Sequence, residues 1–338
     1  MKIERFLSFP ALFFLLFSLV SGCVPQEPQR KIMHANVNCS DFARSKSFYQ
    51  LLGFVPRIET DVHVVSPEEA AGLNMPPYRL HAAPMGLSDG YVIDLIQWID
   101  PYDPEAPYAL ANHLGLSRLS LVTTDLDADV VTLTAAGVAF LSDPVTIDRP
   151  VANSRVVYFR DPDGTLIELV ELGGSVPGPP NSGGTHITGS LQTTVNCSDF
   201  ALSRAFYEMF GFTTQEEIEY TGSPQLAAAM GLGSSFHVRE ARMNLDKGSG
   251  FTLTKWEDPY DPSPPYAHLN HLGIARIAIQ TTNFEADVQR LKELGVEFYA
   301  EPITPAPPLN IVTYTCFEDP DGTVIELVKC NFVLACPF

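Results

Sequence analysis

Positive charge is what this chain has least of. Its 338 residues carry 21 Lys and Arg against 40 Asp and Glu, a formal charge of −19 with histidine neutral. No basic stripe is available to neutralise phosphates, which excludes nucleic acid as a partner. Long apolar runs are also scarce: the extended one, Phe6 to Val20, is shorter than the roughly 20 residues that span a bilayer. Cysteines number six, none in the spacing of a metal knuckle. A nucleophile elbow, a phosphate loop and a dinucleotide-binding glycine pattern are all missing.

What the N-terminus does have is a signal. Lys2 and Arg5 precede the apolar run, and Val20-Ser21-Gly22-Cys23 closes it with small residues before a cysteine. This is the layout of a secretory signal over residues 1–22, and its end resembles a bacterial lipobox with Cys23 as the lipidated first residue. Residues 23–31 then read as a polar tether. The expectation is an exported protein in the cell envelope, joined to the membrane through its lipid anchor. Val24, which is not acidic, points to the periplasmic face of an outer membrane. Losing Lys2, Glu4 and Arg5 with the signal takes the formal charge from −19 to −20, so the lipid and not a basic patch would hold it there. The other five cysteines would face an oxidising compartment. Cys39 and Cys197 read as small core residues, and a bridge between Cys330 and Cys336 is left open.

The chain also says everything twice. Val37 and Val195, Trp98 and Trp256, Gly115 and Gly273, and Asp161 and Asp319 are each 158 positions apart. A gap-free repeat of that length means two complete domains in tandem. The Gly/Pro/Ser-rich residues 173–185 read as a flexible linker between a first domain at 32–172 and a second at 186–330, with a tail at 331–338. Within a copy, Met33, Ala35, Val37 and Cys39 alternate with His34, Asn36 and Asn38 as a strand does. Ser40-Asp41 caps a helix that Gly53 stops. Strands follow near 54–59, 78–84 and 91–98; after the Pro-rich passage 100–115 the theme restarts with a strand at 116–123, a helix at 125–136 and strands near 138–141, 154–159 and 165–171. Each copy is strand, helix, three strands, twice over.

The residues then carry a family likeness. His34-x6-Asp41, Ser47-Phe48-Tyr49, Leu52-Gly53-Phe54 and Asp161-Pro-Asp-Gly-x3-Glu168 resemble the vicinal oxygen chelate superfamily of glyoxalases, bleomycin-resistance proteins and extradiol dioxygenases. Gln192-x6-Asp199, Phe206-Tyr207, Phe210-Gly211-Phe212 and Asp319–Glu326 repeat the pattern. The resemblance implies an α+β protein of two tandem domains, each two βαβββ modules forming a cupped sheet. It also implies a metal in the cup, held from the first, fourth, fifth and eighth strands. Those positions are His34, Asp94, Arg118 and Glu168 in the first copy, and Gln192, Thr252, Arg276 and Glu326 in the second. Strand alternation independently turns Arg118, Asp94 and Glu168 to the polar side.

Arginine stands where metal-binding relatives usually carry histidine, and it cannot ligate a cation. The second cup therefore reads as metal-free, with Arg276 paired to Glu326. In the first, His34, Asp94 and Glu168 form a set suited to iron, manganese or zinc, with Arg118 swung aside; alternatively Arg118 bridges Asp94 and Glu168. Trp98 and Trp256 stand beside the cups and suit an aromatic or hydrophobic ligand. The first reading is thus a binding protein for a small molecule, using Trp98, Arg118, Arg276, Glu326, Gln192 and Trp256 and no cofactor. The second is a metal-dependent lyase, isomerase or ring-cleaving dioxygenase working in the first domain, with Glu168 and Arg118 catalytic. The crossover passage, with His113 and His271, reads as structural.

Overall fold

The computed structural model describes residues 29–147, 153–245, 249–307 and 310–332. The expected signal, Cys23, most of the tether and Cys336 lie outside these residues.

The first strand, β1 (Arg30–Asn38), buries Ala35 and Val37 in the main core. It turns His34 and Asn36 to the other face. Asp41 caps α1 (Phe42–Leu51) by accepting from Arg44 N at 3.0 Å, and Gly53 leaves the helix at φ +96°, where only glycine is unstrained. β2 (Val55–Pro56), β3 (Thr60–Val64), α2 (Pro67–Ala71), β4 (Arg79–Gly86) and β5 (Val92–Asp100) complete the first half-copy. β6 (Gly115–Thr123), α3 (Leu126–Ala135), β7 (Val145–Ile147), β8 (Ser154–Arg160) and β9 (Leu166–Leu172) form the next. The second copy follows with β10 (Ile187–Asn196), α4 (Phe200–Glu208), β11 (Thr213–Gly222), α5 (Pro224–Ala229), β12 (Phe236–Asn244) and β13 (Gly250–Asp258). It ends with β14 (Gly273–Thr281), α6 (Phe284–Glu293), β15 (Val312–Glu318) and β16 (Val324–Cys330).

Two short helices, α2 and α5, were not anticipated. They are too short to show a helical period, yet a capping box marks the first. Ser66 Oγ accepts from Glu69 N at 3.1 Å, and the Glu69 carboxylate accepts from Ser66 N at 2.9 Å. Proline opens each of them.

Each copy supplies two βαβββ-like modules, the last with one strand fewer among the described residues, but neither cupped sheet belongs to one copy. One eight-stranded sheet joins β1 to β5 with β14 to β16; the other joins β10 to β13 with β6 to β9. The junctions are β1 against β14 and β10 against β6, both antiparallel. The cause is the crossover passage, which carries the chain from β5 in one sheet to β6 in the other. These passages are pinned across the copies. Asn38 Nδ2 donates to Leu269 O at 2.7 Å and His271 O at 2.6 Å, and Asn196 Nδ2 does the same to Ala111 O and His113 O, both at 2.6 Å. Tyr108 stacks on Tyr266 with ring centres 5.2 Å apart.

One apolar cluster runs beneath α1, α3, α4 and α6 and through both sheets, with Tyr49, Leu133, Tyr207 and Leu291 fully buried in it. The helices also bind the two modules of a copy together. Tyr49 Oη donates to Asp161 at 2.9 Å and Tyr207 Oη to Asp319 at 2.8 Å, tying each helix to its Asp-Pro-Asp-Gly turn. Burial pushes both carboxyls up to about 6 although backbone and tyrosine donors pull the other way. Cys39 and Cys197 are buried free thiols, while Cys330 is disulfide-bonded. The linker is seated rather than loose. Asn181 Nδ2 donates to Leu52 O at 3.3 Å and Ile187 O at 3.0 Å, and a Cβ on Gly183 would lie 2.3 Å from Leu51 O. Among the described residues no helix is long and apolar enough to cross a membrane.

Candidate functional site: two unequal cups

The face of each sheet turned away from the long helices is concave and carries its own side-chain cluster. In the first cup, hydrogen-bonded ladders set the polar residues side by side. Asp94 on β5, Asn36 on β1, Arg276 on β14 and Val324 on β16 lie in one row, and His34, Ala278 and Glu326 in the next. His34 and Asp94 of the first copy therefore meet Arg276 and Glu326 of the second. Glu168 lies in the other sheet, beside Arg118. The candidate metal set His34, Asp94 and Glu168 is thus divided between two cups, and Arg118 bridges Glu168 but not Asp94.

Arg276 Nε donates to Glu326 Oε2 at 2.7 Å with both side chains buried. Burial alone would raise the Glu326 carboxyl, but the Arg276 charge and the neighbouring His34 outweigh it and hold the group down to about 2. His34 Nε2 stands 3.8 Å from Glu326 Oε2, beyond hydrogen-bond reach. Burial pushes the Asp94 carboxyl above its usual range, against His34 and Arg276. Asn36 Nδ2 donates to Asp94 at 3.2 Å. Three buried polar atoms here have no hydrogen-bond partner: His34 Nε2, Asn36 Oδ1 and Arg276 Nη1.

The second cup uses the equivalent positions differently. Glu168 accepts from Ser120 Oγ at 2.5 Å and from Tyr158 Oη at 2.6 Å, and Arg118 Nε approaches it to 3.5 Å. Arg118 Nη2 also lies 3.7 Å from Glu240. Gln192 accepts from Thr252 Oγ1 at 2.7 Å and donates to Asn244 Oδ1 at 2.8 Å. In the first cup Ser120, Tyr158 and Glu240 are replaced by Ala278, Cys316 and Ala82. Glu326 thereby loses two hydroxyl donors and Arg276 loses a second carboxylate. Ser120, Tyr158, Glu240 and Asn36 receive no role from the sequence; the repeat differences at all four positions, with Thr194 the counterpart of Asn36, were the available signal.

Trp98 and Trp256 sit deep in the cups, not at their mouths. Trp98 Nε1 donates to Asn38 Oδ1 at 3.0 Å and Trp256 Nε1 to Asn196 Oδ1 at 3.1 Å, orienting the two asparagines that pin the crossovers. His113 is buried, its Nδ1 2.8 Å from Leu114 O, and burial lowers it to about 4. Both short helices cover the cups. Ala70 and Leu73 pack over Trp98, Tyr78 and Tyr314 in the first, and Leu226, Ala227 and Met230 over Trp256 and Tyr158 in the second. Beside α2 a cleft of about 220 Å³ opens at the rim of the first cup, with Leu73, Met75 and Val324 on its apolar side and His268, Glu318 and Asp321 on its polar side.

The divalent metal implied by the fold finds poor ligands here. In each cup the carboxylate that would bind it already faces a guanidinium, and a cation beside arginine meets direct repulsion. Among the described residues no group of three or more His, Cys, Asp or Glu side chains is placed to hold a metal ion.

Two cupped sheets of paired βαβββ modules define a class of protein. The Glyoxalase/Bleomycin resistance protein/Dioxygenase superfamily matches residues 31–169 and again 186–327, and the chain belongs to that superfamily. It is similar to the uncharacterized protein YaeR of Escherichia coli, at 29% identity over 143 residues, 42% of this chain and 96% of that one. The uncharacterized protein YwkD of Bacillus subtilis is 32% identical over 143 residues, again 42% of this chain and 97% of the relative. Glyoxalase I from Zea mays shares the fold over 89% of this chain and 93% of its own, at TM-score 0.60 and 18% identity.

Proposed function

We propose that this is an exported, lipid-anchored superfamily member that binds a small hydrophobic or aromatic molecule in a cup built without a metal. The observation that carries this reading is the buried Arg276–Glu326 pair at 2.7 Å. A guanidinium and a carboxylate in contact satisfy each other's charge, which a dry cup otherwise needs a cation to do. The apolar and aromatic lining, with Tyr78, Trp98 and Tyr314, suits a hydrophobic ligand. Cys23 behind its small residues supports the anchor, and the acidic charge of the chain offers no other hold on a membrane. The metal-dependent lyase, isomerase or dioxygenase reading loses its ligand set, because His34 and Asp94 do not share a cup with Glu168.

The deciding measurement is metal content of the purified mature protein after separate exposure to iron, manganese, zinc and nickel. Well under one equivalent of each is expected, together with a thermal shift on adding aromatic compounds. One tightly held equivalent that is lost on Glu326→Ala would sink the metal-free reading.

A further inference from the structure

Each cup holds an arginine with an unmet nitrogen, Arg276 Nη1 in the first and Arg118 Nε in the second, but among the described residues the first also sets an unmet acceptor, Asn36 Oδ1, on the strand beside it. Asn36 and Arg276 are direct partners across the β1–β14 ladder and point to one face. The bond from Asn36 Nδ2 to Asp94 fixes the amide so that Oδ1 is the free end. An unmet acceptor, Asn36 Oδ1, and an unmet donor, Arg276 Nη1, therefore stand on neighbouring strands, with His34 Nε2 unmet in the next row. Buried polar atoms in this state are costly, and a guest offering one acceptor and one donor relieves both. In the second cup Glu240 takes the place of Ala82 and lies beside Arg118, while Gln192 has both ends of its amide occupied.

Charge narrows the guest. An anion at Arg276 would also meet Asp94 and Glu326, and a cation would meet Arg276 itself. An uncharged group avoids both penalties. An open cleft reaches the neighbouring strand. Val324, the ladder partner of Arg276 on β16, is a wall of the 220 Å³ cleft and a member of the apolar lining.

We propose that the first cup alone takes a ligand, and that this ligand is an uncharged, flat apolar molecule bearing an amide-like group. Its carbonyl oxygen accepts from Arg276 Nη1, its N–H donates to Asn36 Oδ1, and its apolar body lies toward the cleft at Val324. This rests on the binding reading above and narrows it to one cup and one chemical class.

The chain holds one tryptophan in each cup, so each cup carries its own reporter. Trp256→Phe leaves Trp98 to report on the first, and Trp98→Phe leaves Trp256 to report on the second. The probes are benzamide, benzoate and benzylammonium, equal in ring and different in charge. Benzamide should change Trp98 emission saturably and leave Trp256 emission flat, binding about tenfold tighter than either charged probe. Calorimetry on the unmutated chain should give one benzamide site per chain. Ala82→Glu, which copies Glu240, and Asn36→Ala, which removes the acceptor without adding charge, should each weaken benzamide about tenfold or more. A charged probe binding as tightly, two sites per chain, or full affinity in both variants would overturn this inference and leave the wider binding reading standing. No saturable response to any probe at either tryptophan would overturn both.

Discussion

Glu326, on the last strand of the second copy, faces His34, on the first strand of the first, with 3.8 Å between carboxylate and imidazole. Facing residues of the first cup thus come from opposite ends of the chain. Its integrity depends on both copies at once.

A separated copy should not stand alone. Residues 29–172 by themselves leave β1 and β6 each without the strand it pairs with in the intact chain, exposing two long unpaired edges. Expressed alone, this segment should form a dimer in which β1 of one molecule pairs with β6 of the other. Light scattering on the eluting species checks this, and a stable, folded monomer would contradict the exchanged arrangement.

Removing the guanidinium of the first cup should be costly. Arg276→Ala leaves Glu326 buried with no hydroxyl donor in place of the lost cation, at a cost of roughly 2–5 kcal/mol. Urea denaturation measures it, and a change near zero would mean that water reaches the pair.

The same pair predicts a pH dependence. Glu326 is held down to about 2 when folded, against an unfolded value near 4.3. A depressed carboxyl adds stability that is complete above the unfolded value and is lost as pH falls toward the folded one. The shift corresponds to roughly 3 kcal/mol. The stability gap between the unmutated chain and Glu326→Gln should therefore narrow between about pH 5 and pH 2. A gap that stays constant over that window would argue against the depressed carboxyl.

The second cup should respond to losing its hydroxyls. Tyr158→Phe and Ser120→Ala each take one donor from buried Glu168, at about 1–3 kcal/mol apiece. Because both touch one carboxylate, their effects should not simply add. Melting curves of the two single variants and the double variant test this.

Anchoring has a direct assay. Wild-type protein made in its native host should partition into a detergent phase, and Cys23→Ser should move it to the aqueous phase or leave it unprocessed. Wild type found in the aqueous phase would remove the lipid from the account.

The local features of the fold were readable because each rests on a few adjacent residues. Ala35 and Val37 alternate with His34 and Asn36 in the bare sequence as they do on the strand, and Asp41 and Gly53 mark the helix they bound. Strand partnership was not readable. Residues 116–123 and 274–281 are repeat equivalents with the same alternation, so β1 could pair with either by pattern alone. Only the path of residues 101–114 decides between them. That single ambiguity placed Glu168 beside His34 and Asp94 in the sequence reading. It left the Arg276–Glu326 pair correct, since β14 and β16 keep their partnership under either choice. The contrast between Ser120, Tyr158 and Glu240 and their counterparts Ala278, Cys316 and Ala82 was visible all along. It acquired meaning once the arginine and glutamate that each set surrounds were known.

Exchange of modules within one covalent chain has a further consequence. In an assembly of two identical subunits, every substitution is written into both cavities, and neither can be altered without the other. Here the two halves are encoded separately, so one cavity can carry Ala82 where the other carries Glu240 beside its arginine. Either cavity is thereby free to change its polar set while the strands of the other hold the shared fold in register.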